Sequence, residues 1–114
     1  MAAKQRLHRD SINLMVQVEV AQTGARIGHL IDVSMGGIGV SGHREMLEPM
    51  DKGTMDLVLP WPMHNQNRIR LEVERSWLRT ASEGRWHAGY RILSCSEAGA
   101  LALEHLAARF SGAE

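Results

Sequence analysis

The residue types best suited to binding chemistry occur together around position 34. Asp32 and Ser34 are two residues apart and are followed closely by Gly36 and Gly37. Residues two apart on a strand project from the same face, so an accepting carboxylate and a hydroxyl would stand side by side. The glycines let a ligand approach the backbone, or let the chain adopt a positive φ. The pattern indicates a small polar binding site, and it also fits a turn in which Asp32 and Ser34 cap their own backbone.

A second candidate is the basic segment near the N-terminus, Lys4-Gln5-Arg6-Leu7-His8-Arg9. Lysine and arginine donate charge-assisted hydrogen bonds to phosphate, and arginine also offers paired donors to the O6/N7 edge of guanine. The segment precedes the first predicted strand and is long enough to fold over a barrel as an arm. The same composition is also typical of a solvated chain terminus.

Other site chemistries find little support. The histidines have no partner at the spacings that metal sites use, and only one cysteine accompanies them; they are His8, His29, His43, His64, His87 and His105. His29, Asp32 and Ser34 are the residue types of a hydrolytic triad, but strand alternation places His29 on the opposite face from the other two. We therefore predict no metal site and no catalytic centre, and expect a binding protein rather than an enzyme.

Alternating apolar residues predict six short strands around these candidates. The strands are expected at 12–20, 26–34, 38–40, 55–59, 69–77 and 86–92. In the second strand, Ile27, Ile31 and Val33 form the buried face. The segment Pro60-Trp61-Pro62 is expected to end the fourth strand, because proline cannot donate to a ladder. Hairpin-length connections between the strands indicate an antiparallel barrel or sandwich.

Arg75 and Trp77 in the fifth predicted strand share the phase of its buried apolar residues. Arg75 is in phase with apolar Leu71 and Val73, which places it at a β-bulge or at the barrel mouth near the site, and a bulge is favoured. Trp77 shares that phase and is interpreted as a core residue rather than a ligand platform.

The hydrophobic period changes after Ser96, which is a good helix N-cap. Apolar residues then recur at helical spacing: Leu103, Leu106, Ala107 and Phe110. They predict a helix over residues 97–110. Its apolar stripe would cover one open end of the barrel or, as an alternative, contact a partner protein.

Composition limits the partners. The chain of 114 residues fits one domain, and 44% hydrophobic and 23% charged residues are typical of a globular protein rather than a disordered or membrane-inserted one. Thirteen basic and 13 acidic residues balance, so we expect no DNA or RNA partner, and any bound anion should be small. The N-terminal segment leads into no apolar signal region, and Cys95 is the lone cysteine, so a cytoplasmic location is expected.

Motif order and element order together resemble the PilZ family of cyclic di-GMP receptors. That family has an RxxxR motif on an N-terminal arm and a [D/N]xSxxG motif at the end of the second strand, and the second motif is complete here as Asp32, Ser34 and Gly37. The resemblance implies a mainly β fold, namely a six-stranded antiparallel PilZ-type β-barrel with a C-terminal α-helix. It assigns residues 1–11 to the arm and residues 12–114 to the barrel with its helix.

The resemblance also implies a ligand and a role for each motif residue. Cyclic di-GMP would bind between the arm and the barrel, and the ordered arm would present a new surface to an unidentified protein partner. Arg9 would hold phosphate and a guanine edge, Asp32 would accept from a guanine N–H, and Ser34 would hydrogen-bond the ligand. Gly36 and Gly37 would permit its close approach.

The first motif departs from the family pattern. Gln5 stands where the family has its first arginine, with Lys4 and Arg6 on either side. Loss of one bidentate arginine contact costs about 1–3 kcal/mol of binding free energy unless Lys4 or Arg6 replaces it. The alternative interpretation is a PilZ-like adaptor that binds no nucleotide and acts through protein contacts, for example in motility or polysaccharide export.

Overall fold

The computed structural model describes residues 16–34, 36–45 and 47–111, with six β-strands and one α-helix. The elements are β1 (Gln17–Val20), β2 (Arg26–Val33), β3 (Gly37–His43), β4 (Lys52–Met63), β5 (Gln66–Thr80), β6 (Arg85–Cys95) and α1 (Glu97–Ser111). A short 3-10 helix, Ser82–Gly84, joins β5 to β6. The predicted arm over residues 1–11 and the beginning of the first predicted strand lie outside the described residues.

The strands form a closed antiparallel barrel in the order β1-β2-β3-β6-β5-β4. Consecutive strands pair as hairpins within two meanders, β1-β2-β3 and β4-β5-β6. The meanders join edge to edge where β3 pairs with β6 and β1 pairs with β4. The predicted mainly β fold, a six-stranded antiparallel barrel with a C-terminal helix, is therefore confirmed.

Apolar side chains from every strand fill the barrel. Fully buried examples, one from each strand in chain order, are Val18, Ile27, Val40, Leu57, Ile69 and Ala88. In β6, Trp86 and Tyr90 lie on the same buried face as Ala88, as the alternation in the sequence predicted. The period of two in the sequence therefore defines one continuous core.

Helix α1 lies across one opening of the barrel. It contacts β2, β4 and β5, and β2 and β5 lie on opposite sides of the ring of strands. Leu103 and Leu106 are buried in the core cluster, as expected for a lid. The Ser96 hydroxyl accepts a hydrogen bond from the Gly99 N–H at 2.9 Å, which confirms the predicted N-cap. No helix in the described part of the chain is long and apolar enough to cross a membrane.

The loop between β3 and β4 is fastened to the barrel by two aromatic side chains. The Tyr90 hydroxyl donates to the Met50 carbonyl at 2.8 Å, and the Trp86 indole N–H donates to the Leu47 carbonyl at 3.2 Å. Burial raises the pKa of Tyr90 to about 12, so its phenol remains a donor at neutral pH. These bonds satisfy loop carbonyls that the sheet cannot reach.

The predicted buried face of β2 is partly wrong. The structure buries Ile27, Leu30 and Val33, whereas Ile31 is 36% exposed. The pairing of β2 with β3 shifts between Leu30 and Asp32, so Ile31 is the extra residue of a β-bulge. A bulge reverses the side-chain alternation beyond it, which simple periodicity does not register.

The predicted end of the fourth strand is also wrong, because β4 continues through Pro60-Trp61-Pro62 to Met63. The register with β5 breaks between Val58 and Met63, so the prolines lie in a stretch where no regular ladder needs their missing N–H groups. The chain reverses at His64 and Asn65, whose φ values of 51° and 63° suit a two-residue hairpin turn.

An ion-pair network fastens β4 to β5 on the outside of the barrel. Asp56 is only 3% exposed, and its two carboxylate oxygens accept from Arg70 Nε at 2.8 Å and Arg70 Nη2 at 3.0 Å. Arg68 Nη1 donates to Asp56 Oδ2 at 3.4 Å and to Glu19 Oε1 at 2.9 Å. The hydrogen bonds from Arg70 lower the pKa of Asp56, although burial opposes the shift.

We expect Asp56→Asn to remove about 1–2 kcal/mol of stability at neutral pH, because charge-assisted bonds to a buried carboxylate are lost. The folded pKa lies below the unfolded value of about 3.9, so the stabilisation is complete above that value and is lost as pH falls through the folded pKa. Urea unfolding near neutral pH and near pH 3 should therefore show a difference between wild type and variant that shrinks in acid. Glu74→Gln removes a more exposed ion pair with Arg91 and is the matched control; an equal loss in both variants would contradict the prediction.

Candidate ligand-binding site

Four of the predicted site residues line one depression on the outer face of the barrel. Asp32, Ser34, Gly36 and Gly37 come from the β2–β3 turn, and the depression has a volume of about 330 Å³. The remaining wall comes from β3, β5 and β6: Ile38, Gly39, Ser76, Trp77, Gly89, Tyr90 and Arg91. The depression therefore straddles the pairing of β3 with β6, which is one of the two places where the meanders join.

The other predicted site residues, Lys4, Gln5, Arg6 and Arg9, lie outside the described residues. Their placement against the barrel remains a prediction from the sequence.

Asp32 and Ser34 both contribute hydrogen bonds to their own turn. Asp32 Oδ1 accepts from the Val33 N–H at 3.0 Å, and the Ser34 hydroxyl donates to the Gly37 carbonyl at 3.3 Å. The Ser34 N–H donates to the same carbonyl at 2.9 Å. The turn-capping alternative is thus realised, but it leaves acceptor capacity on both side chains, because a carboxylate has a second oxygen and a donating hydroxyl still accepts.

The two glycines of the turn serve different purposes. A Cβ on Gly37 would lie 2.8 Å from the Tyr90 carbonyl oxygen, so glycine at this position allows β3 and β6 to pair closely. A Cβ on Gly36 would meet no atom within 4 Å. Gly37 is therefore required by the sheet, whereas the packing around Gly36 places no such demand on that position.

Trp77 was predicted to lie in the core, and that prediction is wrong. Its side chain is 44% exposed and lines the depression, because the pairing of β5 with β6 shifts between Arg75 and Trp77. The predicted bulge beside Arg75 is confirmed, and the Arg75 guanidinium turns to the β3–β4 loop, where it forms an ion pair with Asp51 at 2.9 Å. The bulge thus moves the indole from the interior to the outer face.

The Trp77 ring packs directly on the backbone of Gly89, its partner in the β5–β6 register. A Cβ on Gly89 would overlap the five-membered ring of the indole. The Arg79 guanidinium lies 5.3 Å from the centre of the same ring, within the range of a cation–π contact. The glycine opposite an outward tryptophan is the signal that could have revealed this platform from the sequence.

Arg91 is a site residue that sequence reasoning missed. It lies opposite Gly37 in the β3–β6 register, lines the depression and donates to Glu74 Oε1 at 2.6 Å. Because the Arg91 side chain is 64% exposed, its remaining donors can meet an anion. Only the pairing of β3 with β6, which are far apart in the sequence, brings this cation beside the β2–β3 turn.

His29 and Asp32 lie on the same face of the barrel, contrary to the prediction. Alternation placed them on opposite faces, but the bulge at Ile31 brings both to the outer surface of the barrel, where they line different depressions. His29 lies with Ser41 and Arg85, away from the Asp32 turn. The structure therefore brings the triad residue types onto one face without assembling them.

A closed six-stranded barrel with a helix across one opening and the Asp32-Ser34-Gly37 pattern at its β2–β3 turn defines a PilZ-like fold. Among solved structures, the chain is similar to the Bacillus subtilis inhibitor of motility, MotI/DgrA, with a TM-score of 0.60 and 15% sequence identity. The similarity covers 83% of this chain and 46% of that one, so the chain spans about half of that protein's length. At this identity the likeness concerns the fold. No family model and no curated protein matches the sequence.

Proposed function

We propose that this chain is a regulatory domain that binds cyclic di-GMP and signals to a protein partner when the ligand orders its N-terminal arm. The observation that carries the proposal is the convergence in one depression of the motif residues Asp32 and Ser34 with an exposed aromatic ring, Trp77, and a cation, Arg91. Their chemistry suits binding rather than bond breaking.

Each part of the depression matches a part of the ligand. Cyclic di-GMP carries guanine rings with N–H donors, which a carboxylate such as Asp32 accepts. An exposed indole such as Trp77 provides a face on which a base can stack. Arg91 can donate to a phosphate or to the O6/N7 edge of guanine.

The size of the depression supports a role for the arm. Its volume of about 330 Å³ is at the small end for pockets that enclose drug-sized molecules, which range from about 300 to 1,000 Å³. A cyclic dinucleotide would therefore be only partly covered by the barrel. The basic segment that contains Arg9 would cover the rest, and its ordering would convert ligand binding into a new protein surface. The structural neighbour is described as an inhibitor of motility, and regulation through protein contacts is what we propose here.

The direct test is a calorimetric titration of the full chain with cyclic di-GMP. We expect saturable binding, and affinity for cyclic di-AMP that is at least about tenfold lower, since adenine presents an N6 donor where guanine presents the O6 acceptor. Cyclic di-AMP is the matched control because its charge and backbone are the same. Absence of heat at high concentrations of both ligands would favour the adaptor alternative.

Gln5 is the residue that supports the adaptor alternative, and its replacement separates the cases. If Gln5 occupies the first-arginine position, Gln5→Arg should raise affinity for cyclic di-GMP about tenfold and make it more sensitive to salt, because it adds a bidentate cation. If Lys4 or Arg6 already fills that place, Gln5→Arg should change little, while Lys4→Ala or Arg6→Ala should weaken binding. Binding that none of these substitutions affects would exclude the arm from the site.

A further inference from the structure

A second depression, of about 160 Å³, lies on the outer face at the other end of the β2–β3 hairpin from the Asp32 turn. Its polar lining includes Arg26 and His29 from β2, Ser41 and His43 from β3, and Arg85 from β6. None of the described lining residues is acidic. The depression is therefore a concentration of basic side chains on a chain whose overall charge is balanced.

Strand register explains why these side chains meet. His29 lies opposite Ser41, and Ser41 lies opposite His87 on the next strand. Residues directly opposite each other on paired strands project from the same face, so the two imidazoles flank the serine. Arg85 lies opposite His43 at the end of the same strand pair, which places its guanidinium beside this row.

The two arginines of the depression belong, with Arg44, Arg79 and Arg109, to the described arginines that form no ion pair with a carboxylate. Arg68, Arg70, Arg75 and Arg91 each form an ion pair with a carboxylate. Arg26 and Arg85 have no such partner among the described residues. Burial lowers the pKa of His29, and the nearby charges of Arg85, Arg26 and His87 lower it further. The two guanidinium groups thus lie beside the His29 imidazole without an ion pair of their own among the described residues, whereas His43 on the same depression has a carboxylate oxygen, Glu45 Oε1, 4.0 Å from its Nδ1.

Ser41 provides an independent observation. It is only 2% exposed, it lines the depression, and its hydroxyl has no hydrogen-bond partner among the described residues. Buried polar side chains nearly always have a partner, because an unmet donor loses its bonds to water. A hydroxyl in this position can donate to an oxyanion that enters the depression beside the His29 imidazole.

We infer that this depression binds a phosphate-type oxyanion, either inorganic phosphate or the phosphoryl group of a small monoester. Ser41 donates from the floor, His29 contacts the anion from the wall, and Arg26 and Arg85 neutralise its charge from the rim. The volume of about 160 Å³ admits one tetrahedral anion with a few waters, since a water molecule occupies about 30 Å³. The site is separate from the proposed cyclic di-GMP site and does not depend on it.

The test is a titration of the full chain with inorganic phosphate. Binding is measured from the backbone amide NMR signals of the residues around Ser41. We expect saturable shifts confined to this depression. Arg85→Gln and Ser41→Ala should each weaken binding about tenfold or more, since each removes a donor to the anion. Arg109→Gln, which removes an exposed charge on α1, is the matched control and should not alter binding. Shifts that do not saturate, or an equal loss in Arg109→Gln, would overturn the assignment.

Two further measurements distinguish a site from a structural role and name the source of the anion. Without phosphate, the Ser41→Ala variant should melt at the same or a higher temperature than wild type, because the substitution deletes an unpartnered hydroxyl. A large fall in melting temperature together with unchanged phosphate affinity would overturn the role of Ser41. Tighter binding of methyl phosphate than of inorganic phosphate would indicate a phosphoryl group on an organic ligand, and the reverse would indicate free phosphate. Arg85→Gln should leave cyclic di-GMP binding unchanged, and a parallel loss of both ligands would show that the two depressions form one site.

Discussion

Replacing Leu106 by alanine is expected to lower the free energy of unfolding by about 2–5 kcal/mol, because Leu106 is fully buried. The truncation leaves a cavity that the surrounding strands cannot move inward to fill. Leu106 projects from α1 into the core cluster at the opening that the helix covers. In a domain of about 100 residues, each kcal/mol lost from the free energy of unfolding lowers the melting temperature by about 4–8 °C. The melting temperature of Leu106→Ala should therefore fall by about 10 °C or more.

Leu101 offers a matched control on the same helix. Its side chain is 47% exposed, so Leu101→Ala should change stability by less than about 0.5 kcal/mol. Thermal and urea unfolding of the two variants therefore test whether α1 is part of the core. Similar small losses at both positions would show that the helix is a loosely attached element and that its apolar stripe serves a partner instead.

Trp77→Ala is expected to weaken cyclic di-GMP binding about tenfold to hundredfold, since base–aromatic stacking is worth about 1–3 kcal/mol per base. Gly89→Ala should have a similar effect without touching the ring itself, because the added Cβ would overlap the indole and displace it. Both variants should keep the circular dichroism spectrum of the wild type, since the Trp77 side chain lies outside the core.

Trp61 is the control for this pair. It is 38% exposed, has an arginine, Arg109, 5.2 Å from its ring centre, and does not line the depression. Trp61→Ala should therefore leave affinity unchanged. If cyclic di-GMP binds to wild type and Trp77→Ala equally well, the indole is not a stacking platform, although the proposed function itself would stand.

Local patterns in the sequence predicted the elements well. Period-two alternation located the six strands, and Ser96 with the apolar spacing after it located α1. The β2–β3 turn with Asp32 and Ser34 could also be predicted from the sequence, because turn-forming side chains hydrogen-bond to their own backbone. These features depend on residues that are close together in the chain.

The faces of two strands could not be predicted, because each depends on a single extra residue. Bulges beside Ile31 and Trp77 reverse the alternation and move both side chains outward. The bulge at Ile31 has no distinctive composition, whereas Arg75, in phase with apolar residues, indicated the other bulge without showing that Trp77 beyond it faces outward. Arg91 and the row of His29, Ser41 and His87 were missed for another reason: they meet through the pairing of strands that are far apart in the sequence.

The division of the barrel into two meanders determines when the candidate site can exist during synthesis. Asp32 and Ser34 belong to the first meander, whereas Trp77 and Arg91 belong to the second, and only the β3–β6 pairing unites them. Hairpins close over short loops and form early, whereas pairing across a long separation carries a larger entropic cost and follows later. A nascent chain on the ribosome that has released β1 to β5 would carry Asp32, Ser34 and Trp77 but would lack Arg91 and the β3–β6 pairing, so the site would be incomplete. Competence to bind would arrive in one step, when β6 emerges and closes the barrel.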